Sequence, residues 1–411
     1  MPSIFIKKTI YFSMTIIMLM SCRNTSLSLD NQIPLVAKDF VEIKIDPDSA
    51  KNGQIISSFL DSISYLPLQT TEQSMFAEIS QLEITSKTYV IWDEQSNCIL
   101  FFLKNGDFLK KISNTDLNLK LPFKKIHRFY VNERKGEVVF SDSYSAYSYV
   151  YSLTGEFIRI IDSPPFQGTA YTSIGDMNVY FQGYYNPGAG VPTSNLIFTN
   201  NGSITKHYLP FDPSAVEYTD IYSVGKSFYK NQNGIVYFST AYDYSIYTID
   251  SLANMFKSFT LILPPVKIVP EDFMTNSGYR SKRSKYTNSN RNIIYAITDF
   301  YKNKNNVTFS LIGHARNETF IYNIKSQKLV SFRDYISDSI SSMLPISSGK
   351  IHGIDENGQF ISSVTAVSLF QSKLNLGMAG KQDNELPVSL ERFYRSNNLQ
   401  NPVLTLFSAK Q

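Results

Sequence analysis

The sequence predicts an all-β chain built as a six-bladed β-propeller of four-stranded antiparallel blades, with two short helices inserted in the last blade. Three observations carry this. The first is a recurring phrase of apolar strand, tight turn and second strand, which runs Ile99-Leu100-Phe101-Phe102-Leu103-Lys104-Asn105-Gly106-Asp107-Phe108-Leu109, returns at Val150 to Ile158 around Gly155, and returns again at Asn195 to Ile204 around Gly202. Gly106 and Gly155 are 49 residues apart and Gly155 and Gly202 are 47 apart, a period at which one repeat makes one propeller blade. The second is aromatic loading: 27 Tyr and 29 Phe against a single Trp in 411 residues favour strands. The third is length, since the chain is ample for a toroid of repeated modules.

The leader is set aside first. Lys7 and Lys8 precede an apolar run over residues 9–20 that stops at Ser21-Cys22, the layout of a secretory signal over residues 1–21. The run is too short for a membrane span, which needs ~20 residues. The ending Leu19-Met20-Ser21-Cys22 resembles the lipobox of bacterial lipoproteins. That resemblance implies that Cys22 becomes the lipid-bearing mature N-terminus and tethers the protein to a membrane in an oxidising compartment. Residues 22–39 then read as a polar tether, followed by the propeller over 40–411. No acidic cluster follows Cys22, which tilts the expectation toward the periplasmic face of the outer membrane. Cys98 is the one cysteine left, so the mature chain forms no internal disulfide. The net charge of +4 is small and the basic residues are dispersed, which argues against a nucleic-acid partner.

Alternation and turn residues then give the blades in order. Blade one takes strands at 78–85, 88–92, 98–103 and 108–112. Blade two takes 126–131, 137–141, 147–152 and 157–161, with Lys135-Gly136 and Thr154-Gly155 as turns. Blade three takes 171–174, 178–182, 195–199 and 204–208, with an enlarged loop over 183–193. Blade four takes 221–229, 234–239, 245–249 and 255–263. Residues 264–292 lack alternation and carry Pro264, Pro265, Pro270 and Gly278, so they read as an insertion. Blade five resumes at 293–300, 306–312, 319–324 and 328–332. Blade six begins with 342–346, 350–354 and 359–362; helical spacing of Val364, Val367, Phe370 and Leu374, and again of Leu390, Phe393 and Tyr394, marks a helical insertion over 363–398. The C-terminal strand around Val403-Leu404-Thr405-Leu406-Phe407 is expected to pair with residues 63–69 and close the ring, which removes a bare sheet edge. Residues 40–45 form a further strand with no assigned partner.

The segments Tyr65-Leu66-Pro67-Leu68-Gln69-Thr70-Thr71, Val90-Ile91-Trp92-Asp93 through Phe108, and Asn401-Pro402-Val403-Leu404 give the chain its likeness to a family. It resembles the six-bladed β-propeller lipoproteins of Gram-negative anaerobes, with the shape of NHL-type and TolB-type propellers. Where that family often carries a Gly-rich segment with Pro after blade one, this chain has Ser113-Asn114-Thr115-Asp116-Leu117.

Chemistry is announced less clearly. The four histidines, His127, His207, His314 and His352, have no metal-pair spacing, so no metal and no cofactor is expected; His127 and His352 both fall on inner strands. No Gly-x-Ser-x-Gly elbow is present, and a single Trp excludes repeated Asp boxes. Asp93, Asp142 and Asp243 each follow the second strand of a blade and are expected to cap turns. The insertion is the most distinctive surface: Arg280, Lys282, Arg283, Lys285 and Arg291 stand with Tyr279 and Tyr286 and no acid between Asp272 and Asp299, a composition suited to an acidic glycan, a phosphate group or an acidic protein. Tyr184 and Tyr185 offer rings for stacking on a sugar. Four Asp-Ser-apolar triplets, at Asp48, Asp61, Asp250 and Asp338, resemble an O-glycosylation acceptor of some Gram-negative anaerobes. The expected function is a non-enzymatic protein- or glycan-binding or assembly module of the outer membrane; the alternative is a carbohydrate-active or other small-substrate enzyme with its site in the funnel.

Overall fold

In the computed structural model the described residues are 33–50, 53–114, 122–163, 168–185, 188, 190–222, 224–231, 234–378, 386–396 and 399–411. The signal segment, Cys22 and the first part of the tether lie outside them. Six four-stranded antiparallel sheets follow one another in the order expected of the blades. Blade one is Gln81–Ile84, Thr88–Asp93, Cys98–Leu103 and Phe108–Ser113, and blade two is Ile126–Asn132, Glu137–Asp142, Tyr147–Ser152 and Phe157–Asp162. Blade three is Ala170–Ile174, Met177–Phe181, Ser194–Asn200 and Ser203–Pro210. Blade four is Phe228–Lys230, Val236–Phe238, Ser245–Ile249 and Met255–Ile262, and blade five is Ile294–Asn303, Asn306–Gly313, Arg316–Asn323 and Lys328–Ser331.

Blade six closes the ring as the sequence predicts. Its chain order is Ile351–Ile354, Phe360–Val364, Val403–Ala409 and then Leu60–Pro67 from near the other end of the chain. Val403 faces Pro67 and Phe407 faces Ile63 in the antiparallel register. The helices Ala366–Met378 and Glu391–Tyr394 sit between the second and third strands.

Three expectations change. Residues 342–346 are not a strand: they follow the 3-10 turn Ser339–Ser341, and Ser342 and Met343 hold φ of 52° and 59°, which breaks any extended run. Leu344 and Ile346 are apolar there because they are buried in the core, not because they pair. The inner strand of blade four is only Phe228–Lys230, and Ile221 and Tyr222 pack elsewhere, under the 264–292 segment. The strand left without a partner is Leu35–Lys44, which begins inside the expected tether and runs parallel to Met255–Ile262 as a fifth, outer strand of blade four.

The core lies between blades. Each sheet buries both faces against its neighbours, so central strands read as near-continuous apolar runs; Cys98–Leu103 is buried along all but its last residue. One apolar layer joins blades one and two, another joins three and four, another joins six and one, and the largest runs through blades four, five and six.

The repeated turn is a shared hydrogen-bond pattern. Gly106 N–H donates to Leu103 O at 2.9 Å and Leu103 N–H to Asp107 O at 2.8 Å; Gly155 and Ser152 repeat it at 3.0 and 2.7 Å. Both glycines hold the left-handed φ the turn needs, 87° and 84°. In the third copy the turn is instead a two-residue hairpin, with Asn201 and Gly202 both at positive φ.

Candidate functional site: the central channel and the cap

The innermost strands of the six blades surround a channel. Two side chains of blade four reach across it: Lys226, just before the inner strand, places Nζ 3.2 Å from Glu83 Oε1, and Lys230, at the strand's end, places Nζ 3.8 Å from Glu83 Oε2. Blades one and four are opposite one another in the ring, so these pairs bridge the channel at its waist. Gln81 Nε2 donates to Glu83 Oε1 at 2.8 Å, Lys226 Nζ to Leu82 O at 3.5 Å, and Lys230 Nζ to Val131 O. Burial alone raises the Glu83 carboxyl, but the two ammonium groups and the Gln81 amide outweigh it and hold the carboxyl below its ordinary range. Burial lowers Lys230, and Glu83 works against that.

The bridge separates two basins. One, of about 700 Å³, opens among the turns joining first and second strands and is lined by Glu133, Asp355 and Glu356 with Arg134. The other, of about 250 Å³, lies between blades one to four and is lined by Arg128, Lys226, Lys230, His127, Trp92 and Tyr171, with Glu94 at its edge. Arg128 Nη1 donates to Tyr171 Oη at 2.9 Å and the guanidinium sits 4.8 Å from the Tyr171 ring centroid. The first basin leans acidic and the second basic.

These residues are separated in sequence, and no motif joins them. The signal that could have found them is a charge within an apolar inner strand: Glu83 between Leu82 and Ile84, and Lys230 after Phe228-Tyr229, because a buried charge is paired or functional.

The 264–292 segment is an ordered cap with a core of its own. Phe273 is fully buried, with Tyr279 and Tyr286 ring centroids at 4.8 and 5.2 Å from it. Arg283 is also fully buried: Nε and Nη2 donate to Phe273 O at 3.0 and 2.7 Å, Nη2 to Ala215 O at 3.1 Å, and Nη1 pairs with Asp220 at 3.3 Å. Arg283 is therefore a structural clamp and not the exposed contact the sequence led us to expect. Arg280, Lys282, Lys285 and Arg291 are exposed. Tyr184 packs edge-on to Phe211 and Tyr185 to Tyr218, so both rings are part-buried.

The histidines are scattered among different partners. His207 is buried against Ser194 Oγ at 2.9 Å, His314 meets Tyr222 Oη at 3.3 Å under the cap, and His352 Nε2 meets Ser363 Oγ at 2.8 Å. Burial holds His352 far below its ordinary range, and hence neutral. The three aspartates do cap turns. Asp93 accepts from Ala77, Gln95 and Ser96 N–H, Asp142 from Lys124, Lys125 and Tyr144 N–H, and Asp243 from Ser245 N–H and Tyr247 O–H. Ser49, Ser62, Ser251 and Ser339 of the Asp-Ser-apolar triplets are all exposed. Among the described residues no group of three or more His, Cys, Asp or Glu could hold a metal ion, and no helix is long and apolar enough to cross a membrane.

Residues 41–408 match the family described as Domain of unknown function (DUF4934). The chain belongs to that family. The match spans the whole propeller, from the outer strand of blade four to the closing strand of blade six. Among solved structures, a Bacteroides fragilis protein whose name marks its export as inferred is similar at a TM-score of 0.67 and 15% identity, covering 90% of this chain and 100% of that one. That likeness shows that DUF4934 shares its fold with this protein. A DUF4221 protein of Bacteroides vulgatus is more loosely similar, with a TM-score of 0.45 and 11% identity over 86% of this chain and 98% of that one. No curated protein matches.

Proposed function

We propose that this protein is an exported propeller, lipid-anchored through Cys22 at the outer membrane and facing the periplasm, that acts as a non-enzymatic binding or assembly module for an acidic protein or glycan of the cell envelope. The observation that carries this reading is the Arg283 clamp. It ties the cap to the link between blades three and four through Asp220 and Ala215, and braces the cap internally through the Phe273 carbonyl, so Arg280, Lys282 and Lys285 stand on an ordered frame. A charged surface already held in one shape loses little conformational entropy when a partner docks, and dispersed cations on a rigid face steer an acidic partner to it. The exported name of the Bacteroides fragilis neighbour supports an envelope location.

The test is a pull-down from detergent-solubilised envelope with full-length lipoprotein and with a variant in which Arg280, Lys282 and Lys285 are changed to Ala and Arg283 is kept. A partner captured by the first and lost by the second is the expected result. A partner retained by both, or none captured by either, overturns the cap as the contact surface.

A further inference from the structure

The basic basin of the channel is independent of the cap and carries chemistry that the fold does not use up. Three cations line it, Arg128, Lys226 and Lys230, against the carboxylates of Glu83 and Glu94. Glu94 pairs with Lys125 at 3.7 Å, and Glu83 is shared between two lysines, so positive charge is in excess at this mouth. Lys350 adds to it, reaching Ser80 O at 3.4 Å on the basin's wall.

The second observation is an incomplete set of hydrogen bonds. Trp92 Nε1 and Arg128 Nε are both buried N–H donors without a partner, and both side chains line this same basin. A buried donor left unmade costs about 1–3 kcal/mol, and here two occur beside a surplus of positive charge. Both nitrogens are closed off from the open basin, so an oxygen held there meets them only when the Trp92 and Arg128 side chains shift toward it, and Tyr171, with Arg128 stacked on it, offers a planar wall.

We infer that the basin between blades one to four is a binding site for a small oxyanion, a carboxylate or phosphate on a molecule no larger than a single sugar ring, held by the charges of Arg128 and Lys226 beside Trp92. The size follows from the cavity of about 250 Å³, just below the usual range of ligand pockets. The acid-lined basin beyond the Glu83 bridge repels the same ligand, so the anion enters and leaves by one mouth.

Trp92 is the one tryptophan in the chain, so its emission reports on this site alone. Full-length protein is titrated with glucuronate, inorganic phosphate and glucose, following Trp92 fluorescence and, in parallel, calorimetric heat. A saturable response to glucuronate or to phosphate, absent with glucose, is expected; whichever anion binds tighter identifies an organic acid or free phosphate as the source. Arg128→Gln should weaken binding at least about tenfold, while Arg128→Lys should retain part of it. Binding that Arg128→Gln leaves unchanged, an equal response to glucose, or silence in both fluorescence and heat with both anions overturns the proposal. The wild-type titrations decide it even where the variants fail to fold.

Discussion

The Glu83 carboxylate on blade one meets the Lys226 ammonium on blade four at 3.2 Å across the channel, tying together two blades that are not neighbours in the ring. Interblade layers fix each sheet to the next; this pair fixes the ring across its diameter. Removing the acid leaves two lysines facing each other in a buried setting, the costly half of a buried ion pair. Glu83→Gln should therefore lose about 3 kcal/mol, read as a lower urea midpoint.

The same residue sets an acid response. Its carboxyl is held below the ordinary range, so its contribution is complete above the unfolded-state value of about 4.3 and is lost as pH falls through the depressed folded value. The stability gap between wild type and Glu83→Gln should be widest near neutrality and shrink below about pH 4. Urea titrations at both ends of that window check this; a gap that stays constant with pH would show that the charge of Glu83 is not what matters.

Gly106 and Gly202 look alike in sequence and differ in surroundings. A Cβ on Gly106 would stand 2.3 Å from Pro67 O on the closing strand, whereas one on Gly202 meets nothing within 4 Å. Both hold positive φ, 87° and 81°. Gly202→Ala should cost only the left-handed penalty, about 1 kcal/mol. Gly106→Ala adds a clash with backbone where blade one packs on blade six, and should cost about 3 kcal/mol. Equal thermal shifts for the two would refute the steric argument.

That comparison also shows why the repeat fades along the chain. Blades four and five make their last turns with Ala253 and Gln327 at φ of 58° and 55°, so the glycine that marks the phrase is gone while the turn persists. Strand positions were legible because blade faces are buried on both sides, so the central strands read as short apolar runs bounded by turn residues. The run 342–346 misled because Leu344 and Ile346 are buried without being paired. Leu35–Lys44 gave no hint of its partner, since a parallel edge pairing has no turn to announce it. Arg283 could not be told from Arg280 because a run of cations does not reveal which one faces inward. The channel residues were hidden for a different reason: Glu83 and Lys226 meet only when the ring closes.

Arg283 and Lys285 lie in one short helix, Arg283–Ser289, and should behave oppositely. Arg283→Ala leaves the Asp220 carboxylate, the Phe273 carbonyl and the Ala215 carbonyl without their donor in a fully buried site, a loss of about 3–5 kcal/mol by the logic of broken buried pairs. The cap should then open to protease within residues 264–292 while the ring survives. Lys285→Ala, at an exposed position, should leave the cleavage pattern unchanged. Limited proteolysis with mass mapping distinguishes them, and cleavage spread over the whole chain in Arg283→Ala would show that cap and ring fold as one unit.

Ring closure rests on a strand that arrives last. Val403–Ala409 pairs with Phe360–Val364 on one side and with Leu60–Pro67 on the other. It also buries Val403, Leu404 and Phe407 completely. Asn401, itself buried, ties this strand's approach to blade one's entry through Gln69 O and Ser74 O, both at 3.0 Å. Deleting residues 401–411 therefore exposes two sheet edges at once and leaves Leu60–Pro67 without its sheet, so cooperative unfolding should be lost and the chain should associate through the open edges. Removal of residues before Asp46 strips only the outer strand of blade four; Ile43 and Ile45 are buried, so it should lower the melting temperature yet keep a single transition. Calorimetry of the two truncations, with light scattering for association, separates them; a single cooperative transition in the C-terminal truncation would mean that five blades and half of the sixth are stable without closure.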